Sequence, residues 1–136
     1  MTTRIRLAEE VPAVKEYMAL RIAAGLDPKS PEAAKLGLPN SLFAVCVRDD
    51  AQLIGMGRIV GDGGCNFEVV DIAVHPDWQR RGIGYQVMQS LIKYLEANAP
   101  PSAYVSLIAD GDASRLYEKF GFEFTSPESV SMALAL

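Results

Sequence analysis

The chain has 136 residues, 49% hydrophobic and 22% charged, with a formal net charge of −4 at pH 7. That length fits one domain, 1–136, able to bury about two-thirds of its unfolded surface, and the balance excludes a disordered chain. Net acidity argues against binding nucleic acid or an anionic membrane through bulk charge, while leaving a local anion site open. Cys46 and Cys65 are the only cysteines. One pair without CxxC spacing makes no disulfide framework and points to the reducing cytoplasm. The opening MTTRIRLAEE lacks the apolar centre of a secretion signal, and no apolar run approaches membrane length.

In chain order, RIRLAEE predicts a short strand. EVPAVKEYMALRIAAG places Val14, Tyr17, Met18 and Ile22 on one helical face, with Pro12 near the start and Gly25 near the end. LDPKSPEAAKLGLPNS reads as a loop around a short helix. SLFAVCVRDDAQLIGMGRIVGDGG predicts two strands joined at Asp49-Asp50, and NFEVVDIAV a third that is apolar on both faces apart from Glu68 and Asp71, hence central in its sheet. From Gly82 the period changes. Ile83, Val87, Met88, Leu91, Ile92 and Leu95 form a helical stripe that ends before Pro100-Pro101. AYVSLIAD predicts a buried strand and DASRLYEKFG a short helix, with Asp112 as N-cap and Gly121 as its stop. FEFTSPESVSMALAL predicts one or two closing strands. The order describes an α/β protein with one mixed sheet and helices packed on it.

Between the third strand and the long helix lies HPDWQRRGIGYQ, His75 to Gln86. A helix start leaves backbone N–H groups without partners and carries partial positive charge. Glycines there admit an anion to the backbone, and Arg80 and Arg81 add charge to an acidic protein. Without further context, tight packing at Gly82 and Gly84 explains the glycines equally well. The familiar nucleotide loops fail. No Gly-Lys dipeptide exists for a P-loop, and no GxG in the chain extends to GxGxxG.

Gln79-Arg80-Arg81-Gly82-Ile83-Gly84 does resemble the Q/R-x-x-G-x-G/A signature of the GNAT-type N-acetyltransferases, and ASRLYEKFGF, Ala113 to Phe122, resembles that family's A-x-x-x-Y-x-x-x-G-F signature. The element order is also similar, over nearly the whole chain. The resemblance implies a mostly antiparallel central sheet flanked by helices and acetyl-CoA as cosubstrate. By the same resemblance Ile72, Ala73 and Val74 would contact the pantetheine arm, and a backbone N–H near Val74 would polarise the thioester carbonyl. Backbone groups from Gln79 through Tyr85, with Arg80, Arg81, Gly82, Ile83 and Gly84, would hold the pyrophosphate. Tyr117 would protonate the departing thiolate. Asp110 stands where many relatives carry an asparagine, which is a departure from the pattern.

An alkylamine with pKa ~10 is almost wholly protonated at neutral pH, so the implied reaction needs a base. Glu68 and Asp71 are the two candidates for base or amine-orienting group. Strand parity puts Glu68 with Val70, Ile72 and Val74, and Asp71 with Val69 and Ala73, unless a bulge reverses it. Pairing of either with Arg58 is the structural alternative. His75, the only histidine, reads as a strand-end residue, and the residues offer no zinc site. The function implied is direct acetyl transfer to a primary amine, a small molecule in preference to a protein N-terminus or lysine. A non-catalytic acyl-CoA-binding module is the second reading. The apolar C-terminus would permit a homodimer.

Overall fold

The computed structural model describes residues 4–136. Strands β1 (Ile5–Ala8), β2 (Phe43–Asp49), β3 (Gln52–Gly61), β4 (Asn66–Val74) and β5 (Tyr104–Leu107) form one sheet in the order β1-β2-β3-β4-β5. The first three pairings are antiparallel and β4–β5 is parallel. A parallel neighbour requires a crossover, and helix α3 (Ile83–Asn98) supplies it. Helices α1 (Val14–Ala23) and α2 (Pro31–Gly37) cover the opposite face, and α4 (Ser114–Glu118) follows β5.

Both faces of β2 are covered, so Val45, Cys46 and Val47 are all inaccessible. Val45, Val47, Ile59, Phe67 and Val69 meet Ile83, Val87, Met88, Leu91 and Leu95 of α3. On the other side Cys46, Met56 and Ala73 meet Tyr17, Leu20, Ala34 and Leu38. The α3 stripe follows the sequence pattern, and β3 receives it on glycine. A Cβ on Gly55 would stand 2.7 Å from Ile83 Cγ2, and one on Gly57 2.6 Å from Val87 Cγ1. These glycines set how closely the helix approaches the sheet.

Four expectations change. The buried face of α1 runs through Tyr17, Leu20 and Arg21, while Ile22 is exposed. The reason is electrostatic: Arg21 turns inward to a carboxylate on β4. Strand β5 is short and only partly buried, because among the described residues it pairs with β4 on one edge and with no strand on the other. Asp112 lies in a 3-10 turn, Gly111–Ala113, and does not cap α4. Among the described residues no strand forms after α4, and Val130, Met132, Leu134 and Leu136 are exposed. VSMALAL has strand periodicity, but alternation specifies a face and supplies no pairing edge.

Gly121 does stop α4. With φ +93° it sits in the left-handed region. Its N–H donates to the Glu118 carbonyl, and the Phe122 N–H donates to that of Tyr117. This is a Schellman closure, with Tyr117 and Phe122 in the ring contact that accompanies it, centroids 6.5 Å apart. The Y-x-x-x-G-F spacing is therefore that of a helix end which fixes its tyrosine. α1 ends the same way. Gly25, φ +84°, donates to Ile22, and Leu26 donates to Arg21.

Candidate active site

The β3–β4 register pairs Met56 with Ala73 but Arg58 with Val70, so three residues of β4 span two of β3. The extra residue is taken up at Asp71, whose φ is +59°. Such a bulge reverses the side-chain alternation beyond it. Phe67 and Val69 belong to the core under α3, whereas Ala73 belongs to the core under α1. Ile72 and Val74 pack on the α3 side. The simple parity is thus corrected at the bulge. Asp71 turns to the α1 face, and Glu68 and Asp71 line one cavity of about 580 Å³.

Asp71 is nearly enclosed there. Its Oδ2 accepts from the Tyr17 hydroxyl at 2.8 Å and from Arg58 Nε at 2.8 Å, and its Oδ1 accepts from Arg21 Nη1. Arg21 Nε also donates to the Asp27 carbonyl at 2.8 Å, and Arg58 Nη1 to Ser41 Oγ at 2.8 Å. Both guanidiniums lie near the Tyr17 ring, at 5.9 and 5.8 Å from its centroid. Burial first, then the Asp71 charge, pushes the Tyr17 phenol above its ordinary value. Sequence reasoning missed Arg21. Its signal was an arginine four residues after Tyr17, on the same face of the helix and within the apolar stretch Met18–Ala24.

β4 and β5 stay paired only from Asn66–Tyr104 to Val69–Leu107. Beyond that point the β5 side of β4 has no strand. The His75 N–H donates to the Ile54 carbonyl at 2.7 Å. In the alternation of an antiparallel ladder, Val74 and Gly55 are then a pair that exchanges no hydrogen bonds. The Val74 N–H and C=O consequently point away from β3, into the opening. The carbonyl there accepts from Gln79 Nε2 at 3.1 Å, which braces the turn.

That turn, with Arg80 at φ +63° and Gly82 at φ +80°, leads into α3, where Gly82 is the N-cap. The first intrahelical bond runs from the Gln86 N–H to the Gly82 carbonyl, so the preceding N–H groups are left for an external acceptor. No acidic residue occupies the first turn of α3 to compete for them. Arg81 stacks over Trp78, 4.9 Å from the ring centroid. Ile83 is buried, whereas Tyr85 is exposed and packs on Phe120 at 4.8 Å. A Cβ at Gly84 would lie 3.3 Å from Leu116 Cδ2, so Gly84 sets the approach of α4. The cradle encloses about 290 Å³ and includes Lys119, which the sequence did not mark. A glycine-lined helix start beside an open strand edge suits an anionic nucleotide with an amide-bearing arm.

Tyr117 lines the cavity from the α4 side, and Asp110 lies on the same wall. Burial first, then the Asp110 charge, raises the Tyr117 phenol above its ordinary value, which keeps it protonated at neutral pH. Burial pushes the Cys46 thiol up to about 12. Among the described residues, no group of three or more His, Cys, Asp and Glu is placed to hold a metal. No helix among them is long and apolar enough to cross a membrane.

Comparison with known proteins gives the same identification. The family model for the Acetyltransferase (GNAT) domain matches residues 27–134. The crystal structure of SA2161 from meticillin-resistant Staphylococcus aureus, described there as a probable acetyltransferase, is similar at 46% identity and TM-score 0.94, over 97% of this chain and 99% of that one. The GNAT family protein SP0256 from Streptococcus pneumoniae shares the fold, with TM-score 0.77 at 24% identity over 97% of both chains. The "Uncharacterized N-acetyltransferase ycf52" of Porphyra purpurea is 37% identical over 100 residues, 71% of this chain and 56% of the relative. The chain thus spans about half the length of the curated relatives it matches. Family model, fold and signatures agree, and the chain belongs to the GNAT acetyltransferase family.

Proposed function

We propose that the protein is an acetyl-CoA-dependent N-acetyltransferase, a single domain that acetylates a primary amine of a small molecule by direct attack in a ternary complex. One observation carries the reading. Beyond Val69–Leu107 the edge of β4 has no strand partner; the cavity that holds Glu68 and Tyr117 reaches that edge at Ile72, and Val74 lines the Gly82 cradle next along it.

In this reading the N–H groups from Gly82 to Tyr85 bind the pyrophosphate, and Arg80 and Lys119 add charge beside it. Ile72, Ala73 and Val74 present the strand edge along which the pantetheine arm lies. The Val74 N–H donates to the carbonyl oxygen as negative charge develops, and such a fixed donor contributes most in a site that excludes water. Glu68 takes the amine proton, directly or through water. Asp71 already accepts from two guanidiniums and a phenol, so it holds the bulge in shape and leaves the base role to Glu68. Tyr117, neutral and buried, gives its proton to the departing thiolate.

Net charge −4 supports an acceptor with a cationic amine over nucleic acid or an anionic membrane, and one cysteine pair without CxxC spacing supports a reducing compartment such as the cytoplasm. The open edge of β5 and the exposed apolar tail support a homodimer, and a monomer at micromolar concentration by sedimentation would count against it. The test of the activity is release of free thiol from acetyl-CoA in the presence of a panel of primary amines. Amine-dependent release, lost in Glu68→Gln, is expected. Tight cosubstrate binding without turnover of any amine would favour a non-catalytic module.

A further inference from the structure

The walls of the acceptor cavity carry opposite charges at opposite ends. Asp110, after β5, stands on the wall that carries Tyr117, where the amine would react, and Glu68 on β4 lines the same cavity. Arg21 on α1 and Lys29 after it line the other end. Lys29 also lines an adjoining cavity of about 200 Å³, which is walled by Arg58, Tyr17 and the first turns of α2.

At this second end the charges do not balance. Arg21 and Arg58 are both buried, 7% and 9% exposed, and they share one carboxylate, Asp71. The Tyr17 ring offsets part of the surplus, but a buried guanidinium without its own anion is costly. The pairing also leaves donors in hand. Arg21 uses Nε and Nη1, and Arg58 uses Nε and Nη1, so the Nη2 of each makes no hydrogen bond among the described residues. Neither is a sealed, unsatisfied atom, so both reach accessible surface. Lys29, exposed at the rim, bonds to nothing among the described residues. Arg21 and Lys29 on the acceptor cavity, with Arg58 beside Lys29 on the adjoining one, place two guanidinium nitrogens and an ammonium around a positive surplus, a binding place for an anionic group where the cavities share Lys29.

We propose that the acceptor is a zwitterion, a primary amine that also carries a carboxylate or phosphate, with the anionic group held by Arg21, Arg58 and Lys29. This rests on the N-acetyltransferase reading and narrows its substrate. Glu68 and Asp71, which pairs with both guanidiniums, are three residues apart on β4, and the bulge brings them to somewhat under the ~10 Å of three regular strand steps, which sets the scale of the span between amine and anion. No bond changes at the anionic group. It orients the molecule so that the amine faces Glu68 and the Val74 opening.

The test measures acetyl transfer with ω-amino carboxylates from glycine to 6-aminohexanoate, their carboxamides, and aminoalkyl phosphates of matching length. At least one anionic series is expected to exceed its neutral counterpart in kcat/KM by roughly ten-fold or more, with an optimum at one chain length. Which series prevails distinguishes carboxylate from phosphate. Lys29→Gln, at an exposed position, is expected to shrink the preference several-fold by raising KM for the anionic acceptors. Arg58→Gln should do so further if it folds. Equal rates for anionic and neutral amines, or a preference unchanged in Lys29→Gln, would overturn the anion site and leave the N-acetyltransferase reading standing. Absence of transfer to any amine despite saturable acetyl-CoA binding would remove both.

Discussion

Asp71 and Arg58 lock the β3–β4 bulge from its two sides, carboxylate Oδ2 to guanidinium Nε at 2.8 Å, and the reversed alternation that follows gives the cavity its shape. Asp71→Ala would leave two buried guanidiniums without their anion. It is expected to cost about 3–5 kcal/mol, the range for breaking one side of a buried pair. Urea unfolding at pH 7 measures it, and a loss below 1 kcal/mol would mean that the network is not what holds the bulge.

At Tyr117 stability and activity should separate. The hydroxyl makes no hydrogen bond among the described residues, so Tyr117→Phe is expected to leave the melting temperature nearly unchanged. If the phenol is the acid, kcat should fall roughly 100-fold, within the usual range for removing such a group. Its raised pKa puts loss of the proton above the ordinary tyrosine value of 10.0. The phenol should therefore stay competent up to and beyond that pH, and a falling limb of kcat near pH 8 would assign the acid role elsewhere.

Gly82→Ala probes the cradle. No atom lies within 4 Å of a Cβ there, so the penalty comes from φ +80° alone. A strained backbone of this kind costs about 1–3 kcal/mol, and adjustment of the loop to relieve it would misalign the N–H groups. KM for acetyl-CoA is expected to rise roughly ten-fold, equivalent to ~1.4 kcal/mol, with kcat within two-fold. An unchanged KM would show that the turn does not contact the cosubstrate.

Far from the cavity, Glu16 and Arg48 form a two-pronged pair, both contacts at 2.8 Å. The Arg48 hydrogen bond holds the Glu16 carboxyl below its ordinary 4.5, against the opposing pull of burial. A lowered folded pKa gives stability that is present above the unfolded value and lost as pH falls through the folded one. Urea midpoints of the parent protein and Glu16→Gln should differ at pH 6 and converge toward pH 3. A constant difference across that range would exclude the pair as the source.

Much of this was readable before the structure. The α3 stripe, the two joined strands and Gly121 as a stop follow from periodicity and backbone chemistry, which act locally. The bulge at Asp71 was not readable, because period-2 alternation carries no mark of an inserted residue. Nor was the inward turn of Arg21, which depends on a carboxylate fifty residues away. The closing strands failed for a related reason: VSMALAL has the pattern, while the pairing edge belongs to tertiary structure. Gly55 and Gly57 show the limit of motif reading. Their GxG spacing does not extend to a nucleotide loop, and nothing in it marked their role, which is to seat α3 on the sheet.

The most direct measurement is a calorimetric titration of the protein with acetyl-CoA, with ADP as the control ligand. Both ligands present a pyrophosphate to the Gly82 cradle, but only acetyl-CoA carries an arm for the open edge of β4. Saturable acetyl-CoA binding at least ten-fold tighter than ADP, about 1.4 kcal/mol, is the expected result. Equal affinities, or no binding of acetyl-CoA, would contradict the placement of the cosubstrate between β4 and β5.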